Sequence, residues 1–382
     1  MYKKIYIYSC IAFISILFFL LTDFIISKYT NLFHIRKNCV EYYKINYENK
    51  KYYSYGLAKN CKAFEHKGKT PAYNVYTDNY GYRVGSKNFK NSNQEFKDKI
   101  IFLGDSFTYG FGVDYKDSIP GLIDEKTNYQ FDVINLGVAG YSPSINLFKL
   151  KEYLKYNKNV KIRKIFYILD LTDVHDESNR WVKLDKFERP VIIDSSVEEE
   201  IKNIFDYKRK FRTLRFVSYL INKNLRNLKK KIKEPFSKKE KQDFEGTYWG
   251  KFTHTSKKIL REDKQYQSLW ANNLEFGLEN IKKNIEKIGS LTALNNAEFF
   301  ISIHPWRETL ELGQAEFNWE KFGEEICLSS NCKKLINFFE DVKRLKKQNK
   351  NWKTKIYFKE DLHHTKKGNQ LYSERIFKDA FN

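Results

Sequence analysis

The sequence has no Cys-x-x-Cys among its five cysteines. Its soluble cysteines, Cys39, Cys61, Cys327 and Cys332, fall in two distant pairs, which makes a poor zinc signature. No zinc knuckle, RNA-binding signature or other nucleic-acid module is visible, so nucleic acid is set aside as a partner. No internal repeat occurs, which leaves no basis for a repeat architecture. Methionine appears once, while Lys, Asn, Ile and Tyr are abundant; that bias fits an AT-rich genome and says little about function. Acids are also in deficit, with 47 Asp and Glu against 69 Lys and Arg, a formal net charge of +22. Such a surface favours an anionic partner such as lipid headgroups or an acidic glycan, unless the lysines are merely solvated. The 382 residues suffice for one large domain or a domain with an insertion. Hydrophobic residues at 41% and aromatic residues at 17% are compatible with a packed, ring-rich core.

Charge is absent from Ile5 to Thr22, a run bounded by Lys4 and Asp23. As a helix it extends about 27 Å, close to a hydrocarbon core of about 30 Å. A cleaved signal peptide would have a shorter apolar region ending in small residues. Here the chain continues as DFIISKYT, so an uncleaved anchor is expected over residues 5–27, after a tail of residues 1–4. Lys3 and Lys4 precede it, while Lys28, Arg36 and Lys37 follow, so flanking charge does not set its orientation. The four soluble cysteines fit two disulfides, Cys39–Cys61 and Cys327–Cys332, or four ordinary thiols. The disulfide alternative implies an oxidising compartment and a soluble domain on the extracytoplasmic, periplasmic side.

Residues 28–96 read as an irregular leader or linker with short strands. From residue 97 to 382 the pattern is that of an α/β domain. KIIFLGD, DVINLG, KIFYILD (Lys164–Asp170) and AEFFISIH (Ala297–His304) are short apolar runs of the kind that form buried parallel strands. KKLINFF near Leu335 is a fifth strand or a helix. Helical stretches fall at Ile119–Lys126, Ser144–Tyr156, Tyr266–Ile288 and Thr365–Phe377. This alternation implies a parallel sheet covered on both faces, with sites at the carboxyl ends of its strands. An insertion at about 183–263 interrupts it. Between Tyr207 and Lys241 lie fourteen Lys or Arg and only Glu234 and Glu240 as acids. Leu214, Val217, Leu220, Ile221, Leu225 and Leu228 recur at helical spacing. They suit a basic helix lying on an anionic membrane or polyanion, or one packing its apolar stripe on the core.

IIFLGDSFTYG sets Ser106 directly after a strand and Gly104-Asp105. Such a turn presents the hydroxyl at the sheet edge and aims the following N–H groups at an oxyanion. The hydroxyl needs a general base. EDLHHTKKG supplies one: Asp361 and His364 are three residues apart, so one turn lets the carboxylate hold the imidazole against Ser106. His363 is the alternative, with a side chain expected to point away from that of His364.

GDSFTYG, NLGVAGYSP, LDLTDVHDE and DLHHTKKG resemble blocks I, II, III and V of the SGNH/GDSL hydrolases, a likeness running from about Thr77, in TDNYGYR, to the C-terminus. The resemblance implies a flavodoxin-like three-layer sandwich with strand order 2-1-3-4-5. It also implies a triad of Ser106, Asp361 and His364, with Ser106 and Gly140 donating backbone N–H groups to the oxyanion. One departure stands out. Block III usually reads Gly-x-Asn-Asp, with the Asn donating to the oxyanion, and here the aligned residues are Asp170, Leu171, Thr172 and Asp173. Thr172 is expected to substitute as donor, unless the hole relies on Ser106 and Gly140 alone. A related branch, also similar at His304 to Trp306, carries a comparable block III. His304 is expected to be structural rather than part of the cleft. Asp170, Asp173, Asp176 and Glu177 suggest loop hydrogen bonding rather than a metal, and no cofactor is expected.

The resulting expectation is a membrane-anchored serine esterase removing an acyl group, O-acetyl first, from a cell-envelope glycan. The alternatives are an acyltransferase that receives its acyl group from a membrane partner, and a non-catalytic glycan-binding module.

Overall fold

The computed structural model describes residues 2–29, 38–47, 50–66, 70–86, 97–181, 183–185, 188–192, 248–262 and 273–381. The chain divides into two compact units, one of Met1–Arg36 with Ser195–Gln242, the other of Lys37–Asp194 with Asp243–Asn382. In the first, Tyr2–Tyr29 is one helix. Its stretch Tyr6–Asp23 is long and apolar enough to cross a membrane, a test that a signal sequence also passes. The residues expected to form the basic amphipathic helix, Leu214 to Leu228, lie outside the described residues.

The second unit is built on a five-stranded sheet. Its strands are β6 (Lys99–Gly104), β7 (Asp132–Asn135), β8 (Ile162–Leu169), β11 (Glu298–Ile303) and β12 (Lys334–Asn337). All neighbours are parallel, in the order β12-β11-β8-β6-β7. Counted by appearance, this is the expected 2-1-3-4-5. KKLINFF supplies the fifth strand, and a helix, Phe339–Gln348, begins at its second phenylalanine.

The pleat explains the three layers. Alternate residues of one strand face opposite sides. Ile101, Leu103, Ile165, Tyr167 and Leu169 enter one core with helices Pro143–Tyr156, Leu274–Leu294 and Trp319–Ser329. Ile100, Phe102, Phe166 and Ile168 enter the other, against helices Ile119–Lys126, Phe339–Gln348 and Lys366–Phe381. Being covered on both sides, β6 is buried at all six positions, the reason it reads as a continuous apolar run rather than an alternating one.

Strands also form before the sheet. β1 (Val40–Tyr47) pairs with β2 (Lys50–Leu57) as a hairpin, and β3 (Lys62–Glu65), β4 (Tyr73–Thr77) and β5 (Arg83–Val84) form an antiparallel sheet. Residues 38–66 and 70–86 thus belong to the same compact unit as the parallel sheet. β9 (Lys183–Leu184) pairs with β10 (Pro190–Val191). Disulfides join Cys39 to Cys61 and Cys327 to Cys332, and Cys10 is free.

Candidate active site

Gly104 ends β6 with φ +144, and a Cβ there would lie 2.2 Å from Thr108 Oγ1 and 2.8 Å from the Ile168 carbonyl. The strand-to-helix turn therefore has room only for glycine. Asp105 follows as N-cap, its Oδ1 accepting from the Phe107 N–H at 2.9 Å. Ser106 opens the short helix Ser106–Tyr109, which stops at left-handed Gly110. Gly140 lies beyond the end of the neighbouring strand β7, with φ +76; a Cβ there would meet Arg180 Nη1 at 2.4 Å and the Tyr55 hydroxyl at 2.7 Å. Its carbonyl accepts from Trp181 Nε1 at 2.9 Å. Among the described residues, neither the Ser106 nor the Gly140 N–H donates to a protein acceptor.

The histidine beside Ser106 is His363, not the expected His364. His363 Nε2 lies 2.8 Å from Ser106 Oγ, and its Nδ1 lies 2.5 Å from Asp361 Oδ1. The expectation assumed a helical turn, in which residues three apart share a side. Instead the segment is a tight bend that runs back along Tyr357: Phe358 N–H donates to the His363 carbonyl and Thr365 N–H to the Ile356 carbonyl. Within this bend Asp361 Oδ1 also accepts from the His363 N–H at 3.0 Å, which sets the carboxylate beside the His363 ring, and His364 turns inward. There it is buried among Phe107, His304, Tyr357 and Tyr372. Burial, with His304 and His363 nearby, holds His364 neutral, its pKa well below the usual histidine value. Burial also works to raise the Asp361 carboxyl, but the hydrogen bond and charge of His363 outweigh it and hold the group below its ordinary value. Phe107 and Phe111 pack against the His363 ring, centroids 5.0 and 4.4 Å away.

Thr172 corrects a second expectation. Its hydroxyl donates to Asp170 Oδ2 at 2.5 Å and lies 3.3 Å from Asp105 Oδ2. With its single proton directed to a carboxylate, the hydroxyl is not presented to an oxyanion. It bridges the ends of β8 and β6 instead. Asp170 Oδ1 is anchored from behind by Trp306 Nε1 at 2.7 Å, with His304 Nε2 3.2 Å from the same oxygen. His304 and Trp306 are fully buried, so the HPW stretch supports the turn from beneath.

The buried acids are shifted in opposite directions. Burial would raise Asp170, but His304 and the Thr172 hydrogen bonds outweigh it and hold that carboxyl below its usual range. Asp105 is pushed well above its range by burial and then by the charge of Asp170. Asp173 rises for the same reason, with burial first and Asp105 and Asp170 next. Asp105 Oδ2 also lies 3.3 Å from the Ser106 hydroxyl, so this carboxyl and His363 flank the same oxygen. The other acids of block III have local tasks. Glu177 Oε1 accepts from Ser142 Oγ at 2.6 Å and from the Ser144 N–H at 2.7 Å, at the start of helix Pro143–Tyr156. Asp176 Oδ1 is 3.2 Å from His175 Nδ1. Among the described residues, no group of three His, Cys, Asp or Glu side chains is placed to hold a metal ion.

One contributor was not singled out from sequence. Arg83, from TDNYGYR, is fully buried. Its guanidinium donates to the carbonyls of Tyr109, Gly110 and Val113 and stacks over the Tyr109 ring at 4.5 Å. Glu65 joins it from β3, accepting from the Tyr109 hydroxyl at 3.0 Å and the Tyr73 hydroxyl at 2.7 Å. The segment before the sheet thus clamps the loop that follows the nucleophile. The signal was the placement of TDNYGYR before block I.

No protein-family model matches the sequence, and no curated protein matches it. Among solved structures, the chain is similar to an acetyl xylan esterase at 12% identity and a TM-score of 0.39, over 74% of this chain and 99% of that one. It is similar to a lipolytic protein of the G-D-S-L family from Veillonella parvula at 11% identity and a TM-score of 0.40, over 74% and 98% of the chains. It is similar also to a catalytic mutant of an acetylxylan esterase from Geobacillus stearothermophilus at 10% identity and a TM-score of 0.37, over 75% and 96%.

Proposed function

We propose that this chain is a serine esterase of the SGNH/GDSL type, held to a membrane by its N-terminal helix, that removes acyl groups from an extracytoplasmic glycan. The observation that carries the reading is the hydrogen-bonded series Ser106–His363–Asp361. His363 Nε2 takes the Ser106 proton as Oγ attacks the acyl carbon, and the carbonyl π-pair moves onto oxygen. The N–H groups of Ser106 and Gly140 receive that oxyanion. Its collapse breaks the ester C–O bond, and the departing alkoxide takes the proton from His363. Water then attacks the acyl-serine, giving its proton to His363, and the acid and free Ser106 are released. Asp361 stays ionised throughout and stabilises the imidazolium. Delivery of the same acyl group to a sugar hydroxyl would make the enzyme a transferase; the acceptor alone distinguishes the two.

The test uses the full-length protein in detergent with a fluorophosphonate probe and p-nitrophenyl acetate. The wild type is expected to be labelled at Ser106 and to hydrolyse the ester, and Ser106→Ala to do neither while keeping its melting temperature. Equal turnover by the two proteins would remove Ser106 as nucleophile. A glycan acceptor that gains acetyl without loss of total ester would identify transfer.

A further inference from the structure

A groove of roughly 1100 Å³ runs along edge strand β7, lined from Asp132 to Asn135, with Lys99 at the amino end of β6 and Asp114 in the loop after the Ser106 helix also lining it. Ser106 follows the carboxyl end of β6, so the six-residue strand sets the Lys99 end of the groove about 17 Å from it. Its walls are tyrosines. In the unit that holds the sheet, four described tyrosines expose much of their rings, and three of them, Tyr80 (53%), Tyr129 (58%) and Tyr156 (71%), line this one groove. Exposed rings scattered singly need no explanation, but rings gathered in one concavity do.

The rings are also held in place. Asp78 Oδ1 accepts from the N–H groups of Tyr80 and Tyr82 at 2.9 Å each, fixing the turn that carries them. Tyr80 stacks on Tyr82, centroids 5.9 Å apart and planes 20° apart, and Tyr82 packs on Tyr153 at 5.9 Å. Between the rings lie carboxylates. Asp132 is paired with Lys99 at 2.8 Å, and Asp114 accepts from the Asn74 N–H at 2.8 Å. Asp124, raised to about 6 by burial and by the charge of Asp132, is ionised at neutral pH. A molecule with net charge +22 thus carries here a groove in which four acids, Asp78, Asp114, Asp124 and Asp132, face three bases, Lys99, Lys116 and Lys158. Its lining has no cation excess to draw a polyanion. Flat rings bury the C–H faces of a ligand, and carboxylates accept from its hydroxyls. One ligand class offers both surfaces without negative charge.

We infer that this tyrosine groove is a non-catalytic site for an uncharged oligosaccharide, gripping a glycan chain at a distance from the nucleophile. The inference does not depend on the ester chemistry, since binding is its only content. If one polymer reaches both places, the groove raises the local concentration of chain at the cleft.

The test is calorimetric titration of the full-length protein in detergent with xylohexaose and with chitohexaose. At least one is expected to bind, and Tyr80→Ala and Tyr156→Ala are each expected to weaken it about fivefold, the loss of one stacked ring. Tyr156→Phe, which keeps the ring, should retain most of the affinity. These residues are exposed enough for the variants to fold, and unchanged melting curves would verify that. Absence of binding by both sugars at 10 mM, which is about the weakest affinity of use, would overturn the inference. So would binding that survives both alanine substitutions, which would put the sugar elsewhere.

Discussion

At the scale of single residues, the decisive distinction is between two adjacent histidines. His363 touches Ser106 and Asp361, while His364 is buried among aromatic rings. His363→Ala is expected to lower kcat about a thousandfold or more, with little loss of stability, because it removes the base. His364→Ala should act the other way. It empties a core position and should cost about 2–4 kcal/mol of stability, while the folded fraction keeps its turnover. Kinetics paired with denaturant titration separates the two, and an active His363→Ala with a dead, stable His364→Ala would reverse the assignment. The sequence contained both histidines and the acid that pairs with one of them. Which ring faced the serine depended on whether Asp361 begins a helical turn or a bend, and that is decided by pairing with Tyr357, a contact that no local spacing encodes.

At the scale of elements, the strands were readable because burial on both faces leaves an uninterrupted apolar run, as in KIIFLG and KIFYILD. The helix Ile119–Lys126 was readable to its ends, since Ser118 caps it and Pro120 sits in its first turn. The joint between β6 and β8 was not. Thr172 looked like a spare donor because the two carboxyls beside its hydroxyl, Asp105 and Asp170, lie on different strand ends. As a bridge, Thr172 should tolerate Ser and not Val. Thr172→Val is expected to reduce acylation about tenfold or more by loosening Asp105, the cap of the nucleophile turn, and Thr172→Ser to restore most of it; equal rates for both would remove the bridge from the mechanism. The same cluster gives a pH signature. Asp173 has a raised pKa in the fold, so between its unfolded pKa of about 3.9 and its folded value the native chain binds a proton that the unfolded chain releases. Its contribution is complete below the unfolded value and is lost as pH rises through the window. Asp173→Asn removes that dependence while keeping an acceptor for the Asp170 N–H. Its stability relative to wild type should therefore grow as pH rises above about 4, read as a widening gap in urea midpoints. Parallel midpoints would mean that Asp173 is ionised in the fold.

At the scale of the whole molecule, the segment before the parallel sheet is more than a spacer, because Arg83 and Glu65 reach from it into the loop after Ser106. Composition gave no hint of this, since a buried arginine is indistinguishable in sequence from a solvated one. Arg83→Met leaves the carbonyls of Tyr109, Gly110 and Val113 without their donor and should destabilise the fold by at least about 2 kcal/mol. The cysteines report where that fold is made. Cys39–Cys61 closes a 22-residue separation in this same segment, and Cys327–Cys332 closes one of five residues. Both bonds form where the compartment is oxidising and stay open where glutathione keeps thiols reduced. Cys10, in the apolar helix, has no partner in either case. If the domain built on the parallel sheet is extracytoplasmic, protein denatured directly from cells in the presence of a maleimide should take up one label per chain, on Cys10, and the same protein should take up five after reduction. Five labels without reduction would place the domain in the cytoplasm and remove an extracytoplasmic glycan from its reach. An alkaline phosphatase fused after Asn382 supplies the independent reading, active only if the C-terminus has crossed the membrane.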